Sequence, residues 1–194
     1  PSVESLQSKG HKKDVGTAAF EILEGILFFE NLPKDGGSYV KILGLKNSKR
    51  AFRWIRKEYL DFPKSLEQYK VFLSKANGAA LKNGTIIGAP YIADKGVGAT
   101  ETFITIGGFD DKLEAENLAK YLKTRFARFM LSVLKVTADN TKEKWLKVPL
   151  QDFTPQSDID WTQSVSNIDR QLYAKYRLDE QEIAFIEEKV KPME

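Results

Sequence analysis

Basic side chains interleaved with aromatic ones give the middle of this chain its clearest potential for chemistry. Residues 41–82 contain eleven basic and three acidic residues, a net charge of +8, whereas residues 151–194 have a net charge of −5. Lysine and arginine neutralise phosphates and release the counterions condensed on nucleic acid. Tyr39, Trp54 and Tyr59 lie beside or among these cations. Such a segment is typical of a surface that binds a polyanion, although a charged face that is merely solvated stays an alternative.

The stretch YKVFLSKANGAALKNG (69–84) places polar side chains where an apolar strand ends. Loops on a rigid sheet often carry binding contacts, and in the major groove arginine pairs with guanine and asparagine with adenine. Asn77, which precedes Gly78, fits either adenine readout or a left-handed turn. Trp54 fits either stacking on a base or core packing, and core packing is favoured.

The composition excludes several classes of site. The chain has no cysteine, which excludes disulfides and thiolate metal sites. Its one histidine, His11, argues against a histidine metal site or a serine–histidine triad. A Walker A loop and a dinucleotide-binding glycine motif are absent. No run of eighteen apolar residues occurs, so we expect no membrane span and predict a cytoplasmic protein.

Two acidic tripeptides loosely match the acidic-x-lysine set of magnesium-dependent nucleases. They are Asp110-Asp111-Lys112 and Glu187-Glu188-Lys189. The first coincides with an expected helix cap and the second lies on a charged terminal helix. A structural role therefore explains both better than a metal site, and a nuclease stays an alternative.

Hydrophobic periodicity predicts strands first and helices later. Alternating or apolar runs predict strands at 39–45, 69–74, 84–92 and 101–109. Residues 51–60 fit either a strand or a short helix, and a strand is favoured. Residues 19–29 fit either a pair of strands or a short helix. Asp111 and Glu114 form a capping pair that begins one long helix, continued by apolar spacing to about residue 136. Two further helices are predicted at 162–176 and 179–190.

This order of elements predicts an α+β fold. We expect a mixed or antiparallel sheet packed against one long helix, with a helical C-terminal tail. The predicted division of the chain is an N-terminal arm with a first element at 1–37, an α+β domain at 38–153 and the helical tail at 154–194.

The phrase GATETFITIGGFDDKLEAENLAKYLKTRFARFMLSVLK (98–135) resembles the target-recognition domains of restriction-modification enzymes. In those domains a strand that ends in a glycine turn precedes a helix with a related pattern. The matching positions here are Glu114-Ala115-Glu116, Leu118, Tyr121-Leu122, Thr124-Arg125-Phe126 and Arg128. YKVFLSKANGAA, KVTADNTKEKWLKVPLQDF and the closing segment from Asp158 are similar to the C-terminal part of adenine-specific DNA methyltransferases that are fused to, or partnered with, a restriction endonuclease. The resemblance covers about residues 38–194.

The resemblance implies that the region at 38–153 reads a DNA target while a separate domain methylates adenine with S-adenosylmethionine. The methyltransferase motif Asn-Pro-Pro-Tyr or Asn-Pro-Pro-Phe occurs nowhere in this chain. We therefore expect a fragment of a bacterial enzyme, which agrees with a start at Pro1, and no catalytic centre in it. No cofactor is expected in the fragment, since S-adenosylmethionine and magnesium belong to the parent enzyme. The expected partners are double-stranded DNA and the methyltransferase and endonuclease domains of the same polypeptide, with no membrane.

The predicted DNA contacts follow from side-chain chemistry. Cations expected to hold phosphate or to read guanine are Lys49, Arg50, Arg53, Arg56, Lys57, Lys75 and Lys82. Polar loop residues expected to face base edges are Asn77, Thr100, Glu101 and Thr102. Arg128, on the predicted long helix, is expected either to hold the DNA backbone or to be solvated. A third alternative is a protein-interaction module in which the acidic tail docks a partner subunit.

Overall fold

The fold is α+β, as the sequence predicts. The computed structural model describes residues 15–76, 86–135, 137–140 and 142–193, and these contain two three-stranded sheets and five α-helices. The strands are β1 (Tyr39–Lys46), β2 (Lys49–Arg56), β3 (Tyr69–Ser74), β4 (Tyr91–Ala93), β5 (Val97–Ala99) and β6 (Phe103–Phe109). The helices are α1 (Ala19–Leu23), α2 (Lys112–Lys123), α3 (Arg125–Leu134), α4 (Val165–Lys175) and α5 (Glu180–Lys189). Short 3-10 helices lie at Lys57–Tyr59, Lys64–Glu67 and Lys142–Lys147.

The first sheet is built around a hairpin of β1 and β2, residues 39–56, which we call the hairpin. Its strands are antiparallel, with register from Tyr39 opposite Arg56 to Lys46 opposite Lys49. Both residues of the two-residue turn, Asn47 and Ser48, have positive φ, as tight hairpin turns require. β5 pairs with β1 in parallel on the other edge.

The two faces of the hairpin pack against different partners, because side chains alternate along a strand. On one face Val40, Ile42 and Ile55 form a core with Phe20 of α1 and with Phe28. On the other face Leu43 lies in a cluster that joins the two sheets, and its buried members are Leu43, Phe72, Ala93 and Phe103. The hairpin is therefore fixed from both sides.

The second sheet has the order β4-β3-β6 and is antiparallel. The central strand, β3, is buried along most of its length, including Lys70, which is 2% exposed. The Lys70 ammonium donates hydrogen bonds to the carbonyls of Leu66, Gln68 and Asp94 at 2.9–3.4 Å. Of the strand predicted at 84–92, the described part forms a strand only at its end, in Tyr91–Ala93.

The predicted long helix is two helices that meet at Thr124. This residue has an extended backbone, with ψ of 147°. Its hydroxyl donates to the carbonyl of Tyr121 at 2.6 Å and accepts from the N–H of Ala127 at 3.1 Å. Asp169 of α4 accepts from the N–H groups of Arg125 and Phe126. One helix thus ends and a new one is capped inside the core.

The helices α2, α3, α4 and α5 share the larger core with β3 and β6. Residues from the predicted tail, Trp161, Ile168, Leu172 and Ile186 among them, are buried in this core. None of the helices in the described part of the chain is long and apolar enough to span a membrane.

Candidate nucleic-acid interface

Several cations in and beside the hairpin form ion pairs with carboxylates. Lys46 pairs with Glu21 at 3.1 Å and with Glu24 at 2.7 Å. The other pairs are Arg53 with Glu24 at 2.5 Å, Arg56 with Asp35 at 2.5 Å and Lys57 with Glu67 at 3.5 Å. Acidic residues that precede the hairpin therefore neutralise part of the positive charge that the sequence concentrates in its middle.

Arg53 holds α1 against the hairpin and does not face open solvent. It is 9% exposed, donates to Glu24 and to the carbonyl of Phe52, and lies 5.8 Å from the ring of Phe20. Hydrogen bonds from Lys46 and Arg53 lower the pKa of Glu24. The predicted DNA contact at Arg53 is thus occupied by an internal carboxylate in this structure.

Arg56 and Lys57 lie at the opposite end of the hairpin from its turn. Arg56 stacks on Tyr39 at 5.5 Å, and the charge of Asp35 raises the pKa of Arg56. The hydroxyl of Tyr39 donates to the same carboxylate at 2.9 Å. Lys57 follows β2 and is exposed. These two cations are thus separated from Lys49 and Arg50 by the length of β2.

Three of the predicted contacts come together at one end of the two sheets. Lys49 and Arg50 begin β2, and the Arg50 guanidinium lies 5.6 Å from the ring of Phe103. Phe103 is the register partner of Ser74, and Lys75 follows directly. We call Lys49, Arg50 and Lys75 the basic end.

The basic end is exposed, and its cations form no ion pairs within the part of the chain that the structure describes. All three residues are exposed, and in the described ranges no carboxylate lies within ion-pair distance of them. Arg50 donates to the carbonyl of Ala89 at 2.7 Å, which orients the guanidinium without cancelling its charge. Arg50 lies on the face of the hairpin that packs against the second sheet, whereas Lys49, the register partner of Lys46, lies on the α1 face, so the three cations border the end of the hairpin from two sides.

Thr100, Glu101 and Thr102 connect β5 to β6 beside the basic end. The N–H of Lys75 donates to the carbonyl of Thr102 at 2.7 Å. Thr100 is 2% exposed, and its hydroxyl donates to that of Thr102 at 3.0 Å. Glu101 and Thr102 are half-buried. Residues 100–102 thus lie next to Lys75, and the Thr100 side chain, predicted from the sequence to face a base edge, faces the interior.

Arg128 is a buried structural residue. It is 1% exposed, and its guanidinium donates to the carbonyls of Lys123, Thr124 and Lys191 at 2.7–3.2 Å. Burial lowers the pKa of Arg128 to about 10, so the side chain stays charged at neutral pH. Its donors are used at the end of α2 and at the C-terminal segment, and Arg128 presents no surface for a DNA contact.

Asn77 and Lys82 lie outside the described residues. The described residues that flank 77–85 accept hydrogen bonds from residues that follow α3. Asn140 donates from its side chain to the carbonyl of Ser74 at 2.9 Å and from its backbone to the carbonyl of Lys75 at 2.7 Å. The ammonium of Lys135 donates to the carbonyl of Ile86 at 2.6 Å. Lys75 therefore has a fixed backbone.

Lys41, which the contact prediction omits, forms a second cationic feature on the hairpin. Its ammonium lies 4.6 Å from the ring of Phe52 and 5.9 Å from that of Trp54, its cross-strand partner. Both Lys41 and Trp54 are half-buried. The signal was present in the sequence, because alternation along β1 and β2 places a lysine and aromatic rings on one face.

The acidic tripeptides serve the fold. Asp111 caps α2 by accepting from the N–H of Leu113 at 2.9 Å, and Lys112 pairs with Asp94 at 2.9 Å. Glu187 pairs with Arg125 at 3.1 Å. Among the described residues, no group of three or more acidic or histidine side chains has a geometry that could hold a metal ion.

A shallow groove of about 680 Å³ separates α2 from residues 154–162. It is lined by side chains of both charges, including Glu116, Lys120, Asp158 and Asp160. The ammonium of Lys120 donates a hydrogen bond to the carbonyl of Trp161 at 2.5 Å. The groove has no excess of positive charge, so the basic end is the better candidate for an anionic ligand.

Comparison with protein-family models, with curated proteins and with solved structures finds no match to this chain.

Proposed function

We propose that this chain binds double-stranded DNA as a recognition module of a restriction-modification enzyme, and that the basic end makes the first contact with the phosphate backbone. The observation that carries the proposal is the exposure of Lys49, Arg50 and Lys75 at one end of two packed sheets, where no carboxylate of the described residues pairs with them. Lys46, Arg53 and Arg56 of the same sequence region are paired with carboxylates. The resemblance of residues 38–194 to target-recognition regions supports the same function.

The proposed contact has a simple geometry. A two-stranded ribbon is narrow enough to enter the major groove of a duplex. Both faces of this hairpin are packed along the strands, so only its turn end is free to enter. Its turn, Asn47 and Ser48, is exposed and precedes the two cations of β2. With Lys49 and Arg50 on phosphates, the polar side chains of the turn point towards base edges. Phosphate contacts then fix the position of the hairpin and turn contacts supply sequence preference.

The proposal is tested by measuring the affinity of the chain for a fluorescent duplex at low salt. The variant Lys49→Gln/Arg50→Gln/Lys75→Gln removes three positive charges from the basic end. The control Lys147→Gln/Arg170→Gln/Lys191→Gln removes three exposed positive charges elsewhere. We expect the first variant to bind at least about tenfold more weakly than the control, because each contacted phosphate releases counterions. Equal affinities for the two variants, or no binding by the wild type, would overturn the proposal.

A further inference from the structure

Three hydrogen-bond donors beside the hairpin turn converge on two carboxylates. The Lys46 ammonium contacts Glu21 at 3.1 Å and Glu24 at 2.7 Å. The backbone N–H of Asn47 donates to Glu21 at 2.6 Å, and Arg53 donates to Glu24. An ammonium, a backbone amide and a guanidinium directed at oxygen anions are the donors that bind phosphate in proteins.

The two carboxylates belong to a small element attached to the rest of the molecule mainly through the hairpin. Glu21 lies within α1, which has five residues and no side-chain cap, and Glu24 follows directly. So short a helix has little stability alone. Ala19, Phe20 and Leu23 of α1 pack in the core of the first sheet, where Phe20 contacts Gly44 and Phe28, while Ile22 and Ile26 are more than 60% exposed. Departure of α1 exposes Phe20, so the new phosphate contacts have to offset this loss of burial.

The converging donors lie directly beside the basic end. Lys46 is the register partner of Lys49 across the hairpin turn. A phosphate held by Lys49 therefore places its neighbour on the same strand of DNA within reach of Lys46 once the carboxylates have moved.

We propose that Lys46, the N–H of Asn47 and Arg53 form a second phosphate-binding site, occupied in free protein by Glu21 and Glu24. The inference rests on the proposed function and deepens it. Without DNA, the two carboxylates stand in for phosphate oxygens and hold α1 on the hairpin. When a duplex docks on the basic end, a phosphate replaces them, and Glu21 and Glu24 return to solvent with α1.

Hydrogen exchange of the wild-type chain tests the replacement directly. With a saturating duplex of about twenty base pairs, the amides of Ala19–Leu23 should exchange at least about threefold faster than in free protein, because α1 loses its ion pairs. The amides of the hairpin should exchange at the same rate or more slowly. Unchanged or slower exchange in α1 on a bound duplex would overturn the inference.

A charge-matched pair of variants gives a second test. Glu21→Gln/Glu24→Gln removes the internal occupant, and Glu116→Gln/Glu180→Gln removes two negative charges from helices α2 and α5. We expect the first variant to bind the duplex at least about threefold more tightly than the second at low salt, since no carboxylate then competes with phosphate. If the two bind alike while the wild type binds DNA, the internal occupancy is refuted and DNA binding stands. If neither they nor the wild type bind, both proposals fail.

Discussion

The packing of α1 on the hairpin makes Gly44→Ala a sharp test of the structure. A Cβ built on Gly44 lies 2.5, 2.7 and 2.9 Å from three ring carbons of Phe20, and the ring itself is fully buried. Overfilling a packed core costs about 1–3 kcal/mol. Replacing glycine restricts the unfolded chain and offsets about 0.4–1 kcal/mol of this cost. The expected net loss in the free energy of unfolding is about 1–2 kcal/mol.

The assay is equilibrium unfolding in urea, with Gly16→Ala as the matched control. A Cβ built on Gly16 lies 3.9 Å from its nearest neighbour, a carboxylate oxygen of Glu101, so this change should raise the free energy of unfolding by about 0.4–1 kcal/mol through the unfolded chain alone. Adding Phe20→Leu should cost less in the Gly44→Ala background than in the wild type, since a smaller side chain relieves the overlap. An unchanged stability for Gly44→Ala, or strictly additive effects with Phe20→Leu, would refute the packing of α1 on β1.

Two further variants test buried polar contacts. Thr124→Val keeps the shape of the side chain but removes the hydroxyl between α2 and α3. The free energy of unfolding, measured in guanidinium, should fall by about 1–2 kcal/mol. A loss below about 0.5 kcal/mol would contradict the capping role of Thr124. Burial lowers the pKa of Lys70 to about 8, below its value in an unfolded chain. The unfolded state therefore binds more protons between about pH 8 and pH 10, so wild-type stability, measured relative to Lys70→Met, should rise with pH over that interval. If the stability difference between wild type and Lys70→Met stays level or falls as pH rises, the three carbonyls hold the ammonium without lowering the pKa of Lys70.

Local patterns in the sequence predict much of the fold because they report which side chains face inward. The alternation in YVKILGL and AFRWIR gives β1 and β2, and Asp111 begins α2 as predicted. Residues 19–29, which the pattern left undecided, contain a short helix. The apolar run at 86–87 is buried without joining a strand, since burial alone does not distinguish a strand from an irregular segment.

The break at Thr124 is invisible in the sequence because it depends on distant residues. The apolar spacing continues across Thr124, since α2 and α3 pack into the same core. The N–H groups freed by the break are satisfied by Asp169, more than forty residues along the chain. Arg128 likewise fits the pattern of a cationic helix face, and it is buried because the carbonyl of Lys191 returns to it.

The distribution of charge in the sequence overstates the positive surface for the same reason. Glu21, Glu24 and Asp35 precede the hairpin in the chain and pair with it only after folding. Local sequence separates the two signs of charge, whereas tertiary contacts bring them together. Lys49, Arg50 and Lys75 are exposed, and no carboxylate of the described residues lies within ion-pair distance of them. No local pattern distinguishes these three from Arg53 or Arg56.

The salt dependence of duplex binding tests the central claim most directly. If the basic end neutralises about three phosphates, log affinity should fall with log salt at a slope of about −3 or steeper for the wild type. Removing those charges in Lys49→Gln/Arg50→Gln/Lys75→Gln should reduce the magnitude of the slope by about 2–3. A flat dependence in the wild type, or the same slope in both proteins, would contradict DNA binding through the basic end.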